Sequence, residues 1–185
     1  MIHFEYYPKV EYSQNTAVNI MVRGKVRDAV LKDISLYYKY KVPGHMSAEN
    51  IAEKYYGDSN LVWAIYYANN IFDPIREWPM SEKQFNSYMI GKYGSVQRAS
   101  TKFNSDGTFN WNAVHHFVQK DLDTNIEYVI DKETYIKNHT ENPNTTYAIT
   151  FYEYEKSIND SKRNIIVLDQ IHLKKIVSEI RNLFE

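Results

Sequence analysis

The sequence predicts an α+β fold: a small helical unit in the N-terminal half, then a β-hairpin-rich segment and a C-terminal amphipathic helix. Capped helical patterns follow one another between residues 47 and 70, whereas turn residues and alternating segments dominate residues 95–170. The last helix is predicted by apolar residues at helical spacing: Leu173, Ile176, Val177, Ile180, Leu183 and Phe184. We therefore expect an arm over residues 1–36, a domain over 37–94 and a β-rich region over 95–185 that ends in a helix.

The N-terminal arm begins with an extended aromatic segment, Phe4-Glu5-Tyr6-Tyr7-Pro8. A helix is expected from about Lys25 to Ser35, because Val26, Val30, Leu31 and Ile34 recur at helical spacing. Such an arm can lie on a neighbouring protein or pack on its own domain, and the sequence leaves both open.

A strand is predicted at the start of the second domain, with Tyr38, Tyr40 and Val42 on one face. Pro43-Gly44 ends it, since proline lacks a backbone donor and glycine tolerates positive φ.

Two short helices should follow this strand. Ser47 is a good N-cap for the first, and Gly57 stands where a left-handed residue ends it. Asp58 or Ser59 caps the second helix, which Asn69-Asn70 closes. Asp73-Pro74 prevents helical continuation into the aromatic, proline-punctuated segment that ends at Trp78-Pro79.

The remaining elements are predicted from local signals. Ser81 and Gln84 form a capping box, and the stripe of Phe85, Tyr88, Met89 and Tyr93 is typical of a core-facing helix. Further predictions are a hairpin turn at Asn104–Gly107, a strand over Ile126–Ile130 and a polar loop over His139–Thr145. A strand over Tyr147–Tyr154 is expected to pair with Arg163–Leu168 through a turn at Asn159–Ser161. A last helix is expected to be capped at Asp169. That helix is covered either by the preceding sheet or by a partner.

Composition excludes several classes of function. A net charge of −1 gives no field that would attract nucleic acid, and no apolar run reaches the length of a membrane span. The absence of cysteine removes disulfides and thiolate sites. The 17 tyrosines suit protein contact surfaces but also fill strand positions, and the sequence does not separate the two explanations.

No catalytic or cofactor-binding constellation is visible. Phosphate-binding loops and the G-x-S-x-G turn of serine hydrolases are missing. His115-His116 is not expected to hold a metal, because adjacent residues in a strand point to opposite faces. We expect no enzyme activity, no metal and no cofactor.

The segment from Tyr37 to Tyr93 resembles a known family. Tyr40-x-Val42-Pro43-Gly44, Ile51-Ala52-x-x-Tyr55-Tyr56-Gly57-Asp58, Leu61-Val62-Trp63 and Asn69-Asn70 are similar to a LysM-type module. With the extension Ile71-Phe72-Asp73-Pro74-Ile75-Arg76-Glu77-Trp78-Pro79, the segment resembles the LysM-like baseplate wedge subunit of contractile-tailed bacteriophages. A weaker similarity lies between Tyr154 and Ile165. The chain departs from ordinary LysM domains in lacking a closing strand after Asn70, which places glycan binding in doubt.

The resemblance implies a structural subunit of the tail baseplate that joins neighbouring wedges by protein–protein contacts. Its partners would be other wedge proteins, with several copies in a ring, assembled in the host cytoplasm. The alternatives are a LysM-type peptidoglycan-binding module, with sugar between residues 44–46 and 69–71, and a cell-wall hydrolase. Trp78 can be a contact or a core residue. The expected contact residues are Tyr40, Pro43, His45, Asn69, Asn70, Phe72, Arg76 and Trp78.

Overall fold

Residues 8–19, 37–44 and 46–173 are described by the structure, a computed structural model, and they confirm an α+β fold. The chain packs as two compact units: Met1–Pro79 with Lys162–Glu185, and Met80–Ser161. This grouping differs from the three predicted segments, and the division into independently folding domains stays a prediction. The predicted helix from Lys25 to Ser35 lies outside the described residues.

The first unit begins with an antiparallel hairpin of β1, Lys9–Tyr12, and β2, Asn15–Val18. Its turn residues Ser13 and Gln14 both have positive φ, 49° and 67°, which matches the twist of a two-residue hairpin. Every residue of the two strands is exposed.

A two-stranded antiparallel sheet joins distant parts of the first unit. Strand β3, Tyr37–Lys41, pairs with strand β7, Asn164–Leu168, so that Tyr37 lies opposite Leu168 and Lys41 opposite Asn164. Tyr40 packs into the core, as does Val42 just after the strand, whereas Tyr38 is 54% exposed. The partner of β3 therefore comes from much later in the chain.

Two helices pack on this sheet. Helix α1, Ala48–Tyr56, is capped by the Ser47 hydroxyl and ends at Gly57, whose φ is 71°. Asp58 caps a 3₁₀ turn, Ser59–Leu61, which leads into helix α2, Val62–Ala68. These predicted caps are confirmed. The largest fully buried side chains of this core are Val42, Ile51, Ile65, Val167 and Leu168.

The proline-rich exit from α2 contains a further short helix, α3, Pro74–Glu77, where we expected irregular backbone. Pro74 does end the preceding helix, but its fixed φ also suits the first position of a new one. The Asp73 carboxylate accepts from the amides of Ile75 and Arg76, 3.1 and 3.2 Å away.

The second unit opens with α4, Glu82–Tyr93, and α5, Val96–Ser100. The predicted capping box of Ser81 and Gln84 is present, and Phe85 and Met89 are buried as the helical stripe predicted. The predicted turn that ends at Gly107 is also present, closed by a single bridge between Phe103 and Phe109.

A three-stranded antiparallel sheet follows in the order β5-β4-β6: β4 is Val114–Lys120, β5 is Glu127–Ile130 and β6 is Thr146–Thr150. Strand β5 confirms the predicted strand and forms one edge of the sheet. Helix α6, Lys132–Glu141, packs on β4 and β6. The loop predicted over His139–Thr145 is thus wrong for its first three residues, because Asp131 caps a helix that continues through them.

The strand predicted over Tyr147–Tyr154 is wrong beyond Thr150. The chain turns there into helix α7, Phe151–Ser161, which includes the residues expected to form a turn. Thr150 and Glu153 cap each other: the Thr150 amide donates to the Glu153 carboxylate at 2.8 Å, and the Glu153 amide donates to the Thr150 hydroxyl at 3.1 Å. The predicted strand at residues 163–168 exists as β7, but its partner is β3.

The last predicted helix begins as expected. Asp169 accepts from the Ile171 amide at 2.8 Å, and residues 170–173 are helical. The rest of that helix lies outside the described residues.

Candidate protein–protein interface

An exposed apolar pair stands on the segment that leaves helix α2. Phe72 is 56% exposed and Ile75 is 90% exposed. The Arg76 side chain beside them is 87% exposed and lies 3.6 Å from the Asp73 carboxylate. We call Phe72, Ile75 and Arg76 the apolar tip. Aromatic residues and arginine, such as Phe72 and Arg76, are enriched in protein interfaces.

The backbone of the apolar tip is held firmly despite its exposure. The Glu77 carboxylate accepts from the amides of Phe72 and Asp73, at 2.6 and 3.1 Å. The Lys162 ammonium donates to the Arg76 carbonyl at 2.7 Å. These bonds involve charged groups and are stronger than neutral ones, so they fix the segment in one conformation.

Trp78 packs within the first unit. Its indole N–H donates to the Met46 carbonyl at 3.2 Å, and its ring meets Tyr66 edge-on at 6.1 Å. Burial, with Glu49 adding to it, raises the pKa of Tyr66 to about 12. Trp78 therefore ties the exit segment to the loop after β3, and its indole N–H has a partner inside the protein.

Asn69 is also engaged internally. Its amide donates to the carbonyls of Ile65 and Ile166, both at 2.8 Å, and its side-chain oxygen accepts from the Ile166 amide at 2.8 Å. Asn69 thereby closes helix α2 and clamps it to β7. Asn70, the next residue, is exposed and has a φ of 54°.

The other expected contact residues also include both internally packed and exposed side chains. Tyr40 is half-buried, meets the Tyr55 ring edge-on at 5.5 Å and reaches the Met46 sulfur at 3.5 Å. Pro43 is exposed, and His45 lies outside the described residues. The structure brings Phe72 and Arg76 together on the apolar tip. Ile75 is the residue that the sequence did not single out, because a lone isoleucine in a short segment gives no sign of whether it is buried or exposed.

A second group of exposed apolar side chains lies in the other unit, on and before the edge strand β5, where Tyr128 and Val129 point to opposite faces of the sheet. Its members are half to three-quarters exposed: Leu122 66%, Ile126 51%, Tyr128 50% and Val129 73%. We call these residues the edge patch. An edge strand with so few charged side chains is open to pairing with another chain.

Among the described residues, the most deeply buried carboxylate belongs to a cluster of hydrogen-bond donors. Glu155 is 8% exposed and accepts from the Lys92 ammonium at 2.6 Å, the Tyr93 hydroxyl at 2.8 Å and the Tyr88 hydroxyl at 3.0 Å. Burial alone would raise the pKa of Glu155, but these hydrogen bonds outweigh it and hold the pKa below its ordinary value. A carboxylate engaged in this way links α4 to α7 and is a poor proton acceptor.

We expected His115 and His116 not to share a metal because consecutive residues of a regular strand point to opposite faces. The strand is not regular at this point. The pairing of β4 with β6 is irregular between Val114 and His116, and the two imidazoles meet with Nδ1 atoms 2.8 Å apart. A bulge lets consecutive side chains converge where an ordinary strand separates them. Within the described ranges, no group of three histidine, cysteine or acidic side chains is arranged to hold a metal.

In the part of the chain that the structure describes, no helix has the length and hydropathy to cross a membrane. A search of curated proteins finds no match for the sequence. The model of one protein family, base plate wedge protein 53 of bacteriophages, matches residues 2–183, which is almost the whole chain. This protein therefore belongs to the phage base plate wedge protein 53 family, whose place is structural, in the tail baseplate.

Proposed function

We propose that this protein joins neighbouring baseplate wedges through protein–protein contacts, in several copies around the tail, and that it is assembled in the host cytoplasm and has no catalytic role. The observation that carries this proposal is the apolar tip. Its hydrophobic side chains face solvent on a backbone that Glu77 and Lys162 hold in place.

A rigid apolar protrusion is well suited to association. Covering an exposed isoleucine or phenylalanine side chain contributes about 1.5–3 kcal/mol through the hydrophobic effect. Because the tip is already ordered, little conformational entropy is lost when a partner covers it. Arg76 adds a planar donor at the rim, which can bind a carboxylate of the partner.

Joining two neighbours requires a second surface, and the edge patch supplies one. Its four large apolar side chains lie close together in the sequence, and among the described residues strand β5 is paired with β4 alone. Backbone groups on the other side of β5 can accept an added strand from another baseplate protein.

We propose further that β3, α1, α2 and β7 form a LysM-like unit that has become a protein-binding module. The element order strand–helix–helix–strand and the antiparallel pairing of β3 with β7 support it. Polar groups at the positions where a LysM module would hold sugar are used internally: the Asn69 side chain binds Ile65 and Ile166, and the Met46 carbonyl binds Trp78. This arrangement favours protein binding over glycan binding.

The test is reconstitution of wedges from the purified protein and the other wedge components of its phage. Ile75→Asp should reduce incorporation at least tenfold while leaving the unfolding midpoint unchanged, because a side chain that is 90% exposed contributes little to the fold. Ile90→Asp is the matched control, since Ile90 is 53% exposed on α4, away from both proposed surfaces in sequence. Normal incorporation of Ile75→Asp, or equal loss with Ile90→Asp, would contradict the proposal.

A further inference from the structure

The bulge in strand β4 places two imidazoles in contact. Val114 lies opposite Thr150 and His116 opposite Ile149, so His115 is the extra residue of the bulged strand. The two Nδ1 atoms are 2.8 Å apart, and the ring planes are nearly perpendicular, at 85°.

Aromatic packing holds the rings in this arrangement. The His115 ring stacks on Tyr154 with 3.7 Å between centroids and 10° between planes, and Phe151 meets it edge-on at 5.4 Å. Both aromatic residues belong to helix α7. Ligands that are already oriented lose less entropy when they bind an ion.

We propose that His115 and His116 form a two-nitrogen site for a divalent transition metal that prefers square-planar or tetragonal geometry, with copper(II) bound most tightly. Metal–imidazole bonds are about 2.0 Å long, so two ligands at 90° have nitrogens about 2.8 Å apart, whereas a tetrahedral ion places them about 3.3 Å apart. The observed separation matches the first geometry. Copper(II) also binds imidazole most strongly among the divalent ions of the first transition row.

Without metal, the same separation corresponds to a hydrogen bond between two neutral rings, one of which donates from Nδ1. To bind an ion through both Nδ1 atoms, the donor ring moves its proton to Nε2, and the neutral pair releases no proton overall. Water or a ligand from a neighbouring subunit takes the other coordination positions.

The experiment is a calorimetric titration of the protein with copper sulfate, followed by electron paramagnetic resonance of the one-to-one mixture. It is performed in a His3→Ala background, so that this histidine, which lies outside the described residues, does not compete for copper. We expect one copper ion per chain and hyperfine splitting from two nitrogens. His115→Asn and His116→Asn should each weaken binding at least tenfold, whereas the control His172→Asn should not change it.

A second measurement does not depend on the variants being folded. In the His3→Ala protein with ¹⁵N-labelled histidine, substoichiometric copper(II) should broaden the ring signals of His115 and His116 before those of His139 and His172. Broadening of other histidines first, or titration curves that stay unchanged in folded His115→Asn and His116→Asn, would overturn the proposal.

Discussion

The backbone amide of Phe72 donates a hydrogen bond of 2.6 Å to the carboxylate of Glu77, five residues further along the chain. The same carboxylate accepts from the Asp73 amide at 3.1 Å. One acidic side chain thus closes the loop that carries the exposed Phe72 ring, and it does so at the surface. The fold orders this segment without burying it.

Removal of this carboxylate should loosen the apolar tip. Because Glu77→Ala deletes two charge-assisted hydrogen bonds at an exposed position, we expect a loss of about 1–2 kcal/mol in local stability. Hydrogen exchange should show it as roughly tenfold faster exchange of the Phe72 and Asp73 amides, since about 1.4 kcal/mol corresponds to a factor of ten. Glu141→Ala, at another exposed glutamate, should leave both amides unchanged. Unaltered exchange in Glu77→Ala would show that the carboxylate does not hold the tip.

Asn69 should be a major contributor to the stability of the first unit. Its side chain makes three hydrogen bonds, two of which join α2 to β7, and Asn69→Ala removes the bonds to the amide and carbonyl of Ile166. We expect the free energy of unfolding in urea to fall by about 2–3 kcal/mol. Asn70→Gly serves as the neighbouring control, because Asn70 has a φ of 54° that glycine adopts without strain, and its stability should change little. Equal effects of the two substitutions would disprove the clamp.

The Glu155 cluster predicts a pH dependence for the second unit. The pKa of Glu155 is lowered in the folded protein, so its contribution is present above the pKa of the unfolded chain, about 4.3, and is lost as pH falls through the lower folded value. Hydrogen bonds from Lys92, Tyr93 and Tyr88 raise stability in this way only while the carboxylate is ionised.

Glu155→Gln should therefore cost about 2–3 kcal/mol at pH 7 and flatten the fall in stability below about pH 4.5. Urea unfolding between pH 3 and 7 measures both effects. The surface pair of Lys156 and Asp160 provides the control: its members are about half exposed, and Lys156→Gln should change stability by less than about 0.5 kcal/mol. If the free energy of unfolding falls with pH as steeply in Glu155→Gln as in the wild-type protein, another group is responsible for the pH dependence.

The edge patch leads to a separate prediction about association. Val129→Lys places a charge on the edge strand β5, and lysine on an edge strand is a common guard against strand addition. Because Val129 is 73% exposed, we expect normal stability but at least tenfold weaker binding to the adjoining wedge component, measured by sedimentation. Ile136→Lys is a suitable control, at 46% exposure on helix α6. Binding that survives Val129→Lys would remove the edge patch from the proposed interface.

Local signals in the sequence predicted local structure well. The caps at Ser47 and Asp58, the capping box at Ser81 and the positive φ of Gly57 all depend on residues within four positions of each other. Their geometry is determined by hydrogen bonds that the nearest backbone groups would otherwise lack. The Thr150–Glu153 box is a signal of the same type, and the strong alternation around it concealed the change from strand to helix.

Long-range pairing could not be predicted in this way. Tyr37 and Leu168 lie opposite each other across a sheet although most of the chain separates them, and several partners for β7 satisfy its alternation equally well. The contact residues show the same limit. Asn69 and Trp78 are residue types that can serve in an interface. Their side chains are instead engaged within the protein, because the tertiary structure brings β7 to Asn69 and Met46 to Trp78.

The proposed function requires that the apolar tip is covered when the baseplate assembles. Hydroxyl-radical labelling followed by mass spectrometry measures the solvent exposure of individual side chains in the free protein and in the assembled baseplate. We predict strong labelling of Phe72 and Ile75 in the free protein and at least a fivefold decrease after assembly, with Ile90 labelled equally in both states. Labelling of Ile75 that is as strong in the finished baseplate as in the free protein would show that the apolar tip is not covered by a partner.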